Sequence, residues 1–218
     1  MAGEVYEPET IEYLTSQCRE GDVVHAGTYF GDFLPALARA CAPGQVIWAF
    51  EPNLENWLCA LITAHINHLQ NVRLTQAGLS DRAGTGRLLT TDEGGQSLGG
   101  SSRLLDYCDH PSISRAAEVP LVTIDETVPE DRHVAAIHLD VEGSEGEALA
   151  GALRTIQRCR PALVLESVPH GEWFSDAILE LGYRAEQMIE GNSVFAAVAA
   201  THPTGFRVTA TELKAHHL

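Results

Sequence analysis

No stretch of this chain comes near the ~18 consecutive apolar residues that a membrane span requires, and its opening residues, MAGEVYEPETIEYL, are acidic and lack the apolar core of a secretory signal. The expected compartment is therefore the cytoplasm. Basic residues are scarce, with 14 Lys and Arg against 30 Asp and Glu and a formal net charge of −16. That field repels polyphosphate backbones, which argues against nucleic acid as a partner and for a neutral or cationic small molecule. Cysteines are few and odd in number, at positions 18, 41, 59, 108 and 159, and no C-x-x-C pair occurs. A disulfide scaffold and a zinc knuckle are both disfavoured. Cys18, Cys41 and Cys59 fall in helical patterns and read as buried thiols. Two nucleotide fingerprints are missing as well: there is neither a G-x-G-x-x-G nor a G-x-x-x-x-G-K-[ST]. No internal repeat is present.

What remains is 218 residues of ordinary globular composition, 44% hydrophobic and 20% charged, enough for one α/β domain with a sizeable core. Helical and strand-like segments alternate. Ile11, Leu14 and Cys18 share one face of a first helix, followed by the short apolar strand DVVHAG. DFLPALARACA reads as a helix in which Pro35 is tolerated because it lies in the first turn. GQVIWAFEPN is a second strand, LENWLCALITAHINHL a helix and NVRLTQAGLS a third strand. Residues 82–118 are rich in Gly, Ser, Thr and Asp and read as a long irregular region of the kind that shapes an active site. EVPLVTID and VAAIHLDVEG then read as strands, SEGEALAGALRTIQRC as one helix, RPALVLES as a strand, FSDAILELG as a helix, and YRAEQMIEGNSVFAAVA as a hairpin. The pattern predicts a single domain over residues 1–200, a loosely ordered tail over 201–218, and a mostly parallel sheet with helices on both faces and an antiparallel edge. Ligands of such sheets bind at the carboxyl ends of the strands, where the strand order reverses.

Two constellations lie at those strand ends. In VVHAGTYFGDF the first strand runs into Gly27, which lets backbone approach a ligand, and Gly31, which lets the next helix start against the strand. Glu51 ends the second strand 24 residues after Gly27, where a carboxylate can accept both hydrogen bonds of a ribose diol. Together they point to a nucleoside-containing cofactor, and the missing third glycine makes NAD the weaker candidate. The other constellation is HLDVEGSE, residues 138–145. Strand alternation puts His138 and Asp140 on one side, and Asp140 and Glu142 straddle the strand's end. A carboxylate there can take a proton, orient an ammonium or bind a metal. Alternatively Asp140 or Ser144 only caps the next helix, and His138 is only buried. Glu166 ends the following strand, with His170 close behind.

The order HAGTYFGDF, FEPN, GLSD, GGSSR, VTIDE, HLDVEGSEGEALAGA and PALVLE, spanning residues 21–166, resembles the FkbM family of S-adenosylmethionine-dependent methyltransferases. The resemblance implies a class I methyltransferase (Rossmann-like) α/β fold, with a seven-stranded sheet whose final strand is reversed. It implies S-adenosylmethionine as cofactor, with Gly27, Thr28 and Gly31 as the turn around its methionine part, Tyr29 a further contact within that turn, and Glu51 on the ribose beside Pro52 and Asn53; His25, just before the turn, either contacts the cofactor's amino-acid end or packs beneath it. It puts Gly78 and Leu79, at the end of the third strand, near the adenine, and Asp140 and Glu142 at the floor of the site. Catalytic candidates are His138, Asp140, Glu142 and His170; a divalent metal, if used, would fall to Asp140, Glu142 and Glu166. The family usually carries an acid at position 25 and a lysine at 138, so two histidines here depart from its pattern. The expected reaction is O- or N-methylation of a small polar acceptor such as a sugar, aminosugar or secondary-metabolite scaffold, in a setting such as antibiotic biosynthesis. Membrane and nucleic-acid partners are not expected, and assembly as a homodimer is left open. The alternatives are an NAD-type oxidoreductase and a catalytically silent cofactor-binding subunit.

Overall fold

The computed structural model describes residues 6–105 and 116–198, so Cys108 and the tail expected at 201–218 lie outside the described residues. The first half runs α1 (Pro8–Gln17), β1 (Asp22–Ala26), α2 (Leu34–Ala40), β2 (Ile47–Phe50), α3 (Leu54–Ile66) and β3 (Val72–Thr75). Four short strands follow: β4 (Gly78–Leu79), β5 (Gly84–Leu89), β6 (Arg103–Leu104) and β7 (Ala116–Val122). The remainder is α4 (Ile124–Thr127), β8 (Val134–Leu139), α5 (Glu145–Ala150), α6 (Leu153–Cys159), β9 (Ala162–Leu165), α7 (Glu172–Ala177), β10 (Tyr183–Ile189) and β11 (Asn192–Ala197).

The main sheet has the order β10-β11-β9-β8-β1-β2-β3, and only β11 runs antiparallel to its neighbours. This is the seven-stranded sheet with one reversed strand that the resemblance implies. Every residue of β1 and β8 is buried, because parallel strands covered on both faces are written as unbroken apolar runs. Alternation sends Val24, Ala26, Ile137 and Leu139 into one core with Leu149 and Ile156, and Val23, Ala136, Val164 and Val194 into the other with Leu14, Leu34 and Leu37. The chain leaves β1 through β2 and β3 on one side and returns through β8 and β9 on the other. The strand order therefore reverses between β1 and β8, and a crevice opens at their carboxyl ends.

The opposite end of β1 is tied down by Asp22, which is fully buried. Its carboxylate accepts from the Val46 N–H at 2.9 Å, the Trp48 indole N–H at 2.8 Å and the Arg132 guanidinium.

Four readings of the sequence need correction. Residues 82–118 are not simply irregular: β4, β5, β6 and β7 form a second sheet in the order β4-β7-β5-β6. Strands β5, β6 and β7 are mostly exposed or half-exposed, and β5 carries Gly84 and Gly86 and buries only Leu88, so their composition mimics a loop. NVRLTQAGLS is not one strand, since it splits after Thr75 and Gly78–Leu79 pairs with β7. SEGEALAGALRTIQRC breaks at Gly151, where a side chain would overlap the Ser80 carbonyl. Finally, Cys59 is exposed, while Cys18 is buried and Cys41 half-buried. Helix α3 buries only Ala60 and leaves Leu54, Leu58, Leu61, Ile62 and Ile66 at 43–65% exposure. No helix among the described residues is long and apolar enough to cross a membrane.

Candidate active site

The segment between β1 and α2 is a tight, left-handed turn. Gly27, Tyr29 and Gly31 have φ of +81°, +50° and +82°, and a non-glycine such as Tyr29 holds that conformation only where other contacts secure it. The fastening comes from Glu51: its Oε2 accepts the Tyr29 N–H at 2.8 Å and its Oε1 accepts the Asn53 N–H at 2.8 Å. Gly27 has a second reason to lack a side chain, because a Cβ there would overlap the carbonyl oxygen of Asp140. Gly27 is thus packed directly against the end of β8 where a side chain would project, while its backbone lines the cavities described next. Gly31 abuts Ala60 of α3 rather than seating α2 against a strand, as the sequence reading expects. Thr28 is fully buried, with its hydroxyl donating to the Phe50 carbonyl at 3.1 Å. Asn53 caps α3 by accepting the Glu55 N–H at 3.0 Å, and its amide donates to the Ser102 hydroxyl at 3.0 Å. Thr28, Gly31 and Asn53 line neither of the cavities described next; they hold the turn and the second sheet in place.

Two cavities meet at the crevice. The narrower is lined by Glu51 and Pro52 on one side and by Ala77, Gly78, Leu79, Leu88 and Val141 on the others. It is an apolar slot with a carboxylate at its edge. Glu51 is 5% exposed, and burial pushes its carboxyl up to about 7 even though the two N–H donors pull the other way. The wider cavity, about 400 Å³, lies over the other face of the sheet end. Gly27, Glu51, Gly100 and Asp140 line both.

The floor of the wider cavity holds the two histidines. His25 on β1 and His138 on β8 are aligned in register, and their rings stack with Phe33. Their Nδ1 atoms are 2.8 Å apart, while the Nε2 of each has no hydrogen-bond partner among the described residues. Burial lowers the pKa of both, that of His138 to about 4, and His138 further disfavours a charge on His25. Both rings are therefore neutral, and a single hydrogen lies between the two Nδ1 atoms. Asn192 sits against His138 and partly offsets the effect of burial, at a separation that leaves its Oδ1 without a formal hydrogen bond. Across the short contact one ring donates its Nδ1–H and the other accepts.

Carboxylates form the rim. Asp140, Glu142 and Glu166 each offer an oxygen within 4.8 Å of the others'. Glu142 and Gly143 both have positive φ, at +53° and +98°, so the D-V-E-G segment is a left-handed turn off the end of β8. Burial, a hydrogen bond with Glu166 and the charges of Glu166, Glu142 and Glu7 raise Asp140 to about 8. Glu142 is raised by burial and by Glu166. Neither Asp140 nor Ser144 caps α5, since Ser144 makes no capping bond and the turn's Val141 and Gly143 N–H groups reach Glu145 Oε1 at 3.4 Å. His170 is exposed and lines neither cavity; the chain turns away after Glu166, and Pro169 lies over Gly146 of α5. The wider cavity also gathers Tyr6, Glu7, Asp32 and Phe33, which the sequence reading does not single out. Asp32 and Phe33 stand inside the quoted glycine turn and were within reach of it. Glu7 had no local signal, because it arrives from the start of α1.

The geometry agrees with comparisons to known proteins. A model of the methyltransferase FkbM domain matches residues 25–188. No curated protein sequence matches the chain. Among solved structures, the FkbM methyltransferase of Methylobacillus flagellatus superposes with a TM-score of 0.55 at 18% identity, covering 81% of this chain and 43% of that one. The chain therefore spans less than half the length of that relative. A methyltransferase from Geobacter sulfurreducens superposes with a TM-score of 0.50 at 13% identity, covering 88% and 80%. With its reversed seventh strand, its acid at the end of β2 and a domain match over three-quarters of its length, the chain belongs to the FkbM methyltransferase family.

Proposed function

We propose that this chain transfers a methyl group from S-adenosylmethionine to a hydroxyl or amine of a small polar molecule, with a sugar, aminosugar or secondary-metabolite scaffold as the acceptor. The observation that carries the reading is the pair of cavities joined at Gly27 and Asp140. The residues suit the donor. The apolar slot beside Gly78 and Leu79 takes a flat base, and Glu51 at its edge can accept from two ribose hydroxyls. His25, which lines the wider cavity, stands where the family usually has an acid and faces the donor's amino-acid end. When bound, S-adenosylmethionine supplies a methyl group on a positively charged sulfur.

The chain's own residues then have two tasks. One is to hold donor and acceptor in line, which lowers the barrier by several kcal/mol. The other is to remove the acceptor's proton as oxygen or nitrogen bonds to the methyl carbon and the carbon–sulfur bond breaks. Asp140, with its pKa raised to about 8 and its hydrogen bond to Glu166, suits that task near neutral pH. His138, lowered to about 4 and turned toward Asn192, does not. Among the described residues, six carboxylates and no lysine or arginine line the wider cavity, which favours a neutral or amine-bearing acceptor over an anionic one.

The test is transfer of labelled methyl to a panel of sugars, aminosugars and polyhydroxylated scaffolds. Label is expected in at least one acceptor, and Asp140→Asn is expected to reduce kcat by about 10²-fold or more while S-adenosylhomocysteine still binds. Tight binding of S-adenosylhomocysteine with no transfer to any hydroxyl or amine would favour the silent-subunit reading instead.

A further inference from the structure

We propose that helix α3 is the contact surface of a homodimer, in which two copies of the chain pair their α3 helices antiparallel about a twofold axis. Leu54, Leu58, Leu61, Ile62 and Ile66 recur at the i, i+4, i+7, i+8 and i+12 spacing of one helical face, yet all five are 43–65% exposed. The helix buries only Ala60, which lies on its opposite side against Gly31. Thr63, on the adjoining flank, donates its hydroxyl to the Phe30 carbonyl at 2.8 Å. Helix α3 is thus anchored to the glycine turn from within, and its apolar face is turned outward as a preformed stripe.

Charge and area single out a second copy as the occupant. Each copy carries a net charge of −16, so two copies meet most readily where acids are sparse. Helix α3, LENWLCALITAHI, has one acid, Glu55, and no lysine or arginine. Around a dyad level with Ala60, Leu54 faces Ile66 of the partner subunit and Leu58 faces Ile62 of the partner subunit. Glu55 then faces His65 of the partner subunit, so the one acid meets an imidazole rather than another acid. The stripe is self-complementary, as an isologous contact requires, and its four-three spacing is that of helices packed ridge into groove. The five side chains expose on the order of 500 Å² of apolar surface, enough to mark an interaction site. That matches the apolar share, about 65%, of the ~800 Å² that each partner contributes to a standard interface. A lipid surface suits the face less well, because α3 lacks the Lys and Arg with which interfacial helices meet anionic headgroups.

Pairing reaches the site without entering it. No residue of α3 lines either cavity, but the turn it backs supplies Tyr29 and Phe30 to the wider one. Asn56 of α3 also donates to the Gly99 carbonyl at 3.1 Å, next to Gly100, which lines both cavities. A dimer at α3 therefore buttresses two cavity walls from outside and leaves their chemistry to one chain. The surface does not depend on the methyltransferase reading.

The experiment is sedimentation velocity of the full chain across a concentration series, with far-ultraviolet circular dichroism to establish that each variant is folded. Interfaces of this size have dissociation constants of micromolar or below, so a species of twice the chain mass is expected at about 50 μM. Leu58→Glu places a carboxylate in the seam and is expected to weaken the dimer by about 100-fold or more, and the milder Ile62→Ser by about 10-fold. Met188→Glu, exposed on β10 at the other edge of the sheet, is expected to leave the dimer unchanged. A monomer at every concentration, a dimer indifferent to Leu58→Glu and Ile62→Ser, or a dimer broken equally by Met188→Glu would each overturn the proposal. So would a monomeric chain that sediments with phosphatidylcholine–phosphatidylglycerol vesicles and is released by Leu58→Glu, a result that would give the face to a lipid surface.

Discussion

Glu51 does two things at once. It fastens the left-handed turn through the N–H groups of Tyr29 and Asn53, and it offers its remaining lone pairs to the narrow slot. Substituting Glu51→Gln is expected to weaken S-adenosylhomocysteine by about 10- to 100-fold, the ~1.5–3 kcal/mol of hydrogen bonds to a charged group, as measured by calorimetry. The same residue predicts a pH dependence. Burial raises its pKa from 4.5 to about 7, so between those values the folded chain holds a proton that the unfolded chain has lost. Stability from this group is complete below about pH 4.5 and is lost as pH rises through 7. The melting temperature of Glu51→Gln relative to the parent should therefore be more favourable at pH 8 than at pH 5; a constant difference would show that Glu51 ionises normally. Gly27 is the other residue without a substitute. Gly27→Ala combines a φ of +81° with a collision against the Asp140 carbonyl, and should cost about 3 kcal/mol or more in urea unfolding.

Strands are positioned from both ends. The carboxyl ends of β1 and β8 make the site, while their other ends are set by Asp22, whose oxygens join β2 to the segment before β8 through Val46, Trp48 and Arg132. Asp22→Ala leaves the Trp48 indole and Arg132 without this partner and is expected to destabilise the chain by about 3–5 kcal/mol. Donor affinity measured on the remaining folded fraction should be unchanged, because Asp22 is at the far end of the strand. Elements also show what a pattern can and cannot convey. Buried parallel strands such as β1 and β8 are legible because both faces are apolar. The second sheet was hidden, since β5 alternates poorly, carries two glycines and buries little. The break at Gly151 was hidden for another reason: α5 and α6 share an apolar stripe, and only the approach of the Ser80 carbonyl separates them.

A molecule with a net charge of −16 repels itself, and its wider cavity concentrates that repulsion in six carboxylates. Raising monovalent salt from low to physiological concentration should raise the melting temperature by a few degrees as this repulsion is screened; a flat response would mean that the acids are already compensated. The order of the elements, the closing hairpin with its reversed strand and the acid after β2 could be read from the sequence because each is a local matter: an apolar run, a glycine that must turn, a carboxylate at a strand end. Tertiary structure alone decided the rest. It closed the space over Gly27 with Asp140 and brought His25 to His138 across 113 positions. It also drew Glu7 to the rim from the start of α1, and sent Thr28, Asn53 and His170 away from the cavities. Local chemistry determines which groups a strand end can offer, whereas the distance and shared burial that turn those groups into a site belong only to strands that have met.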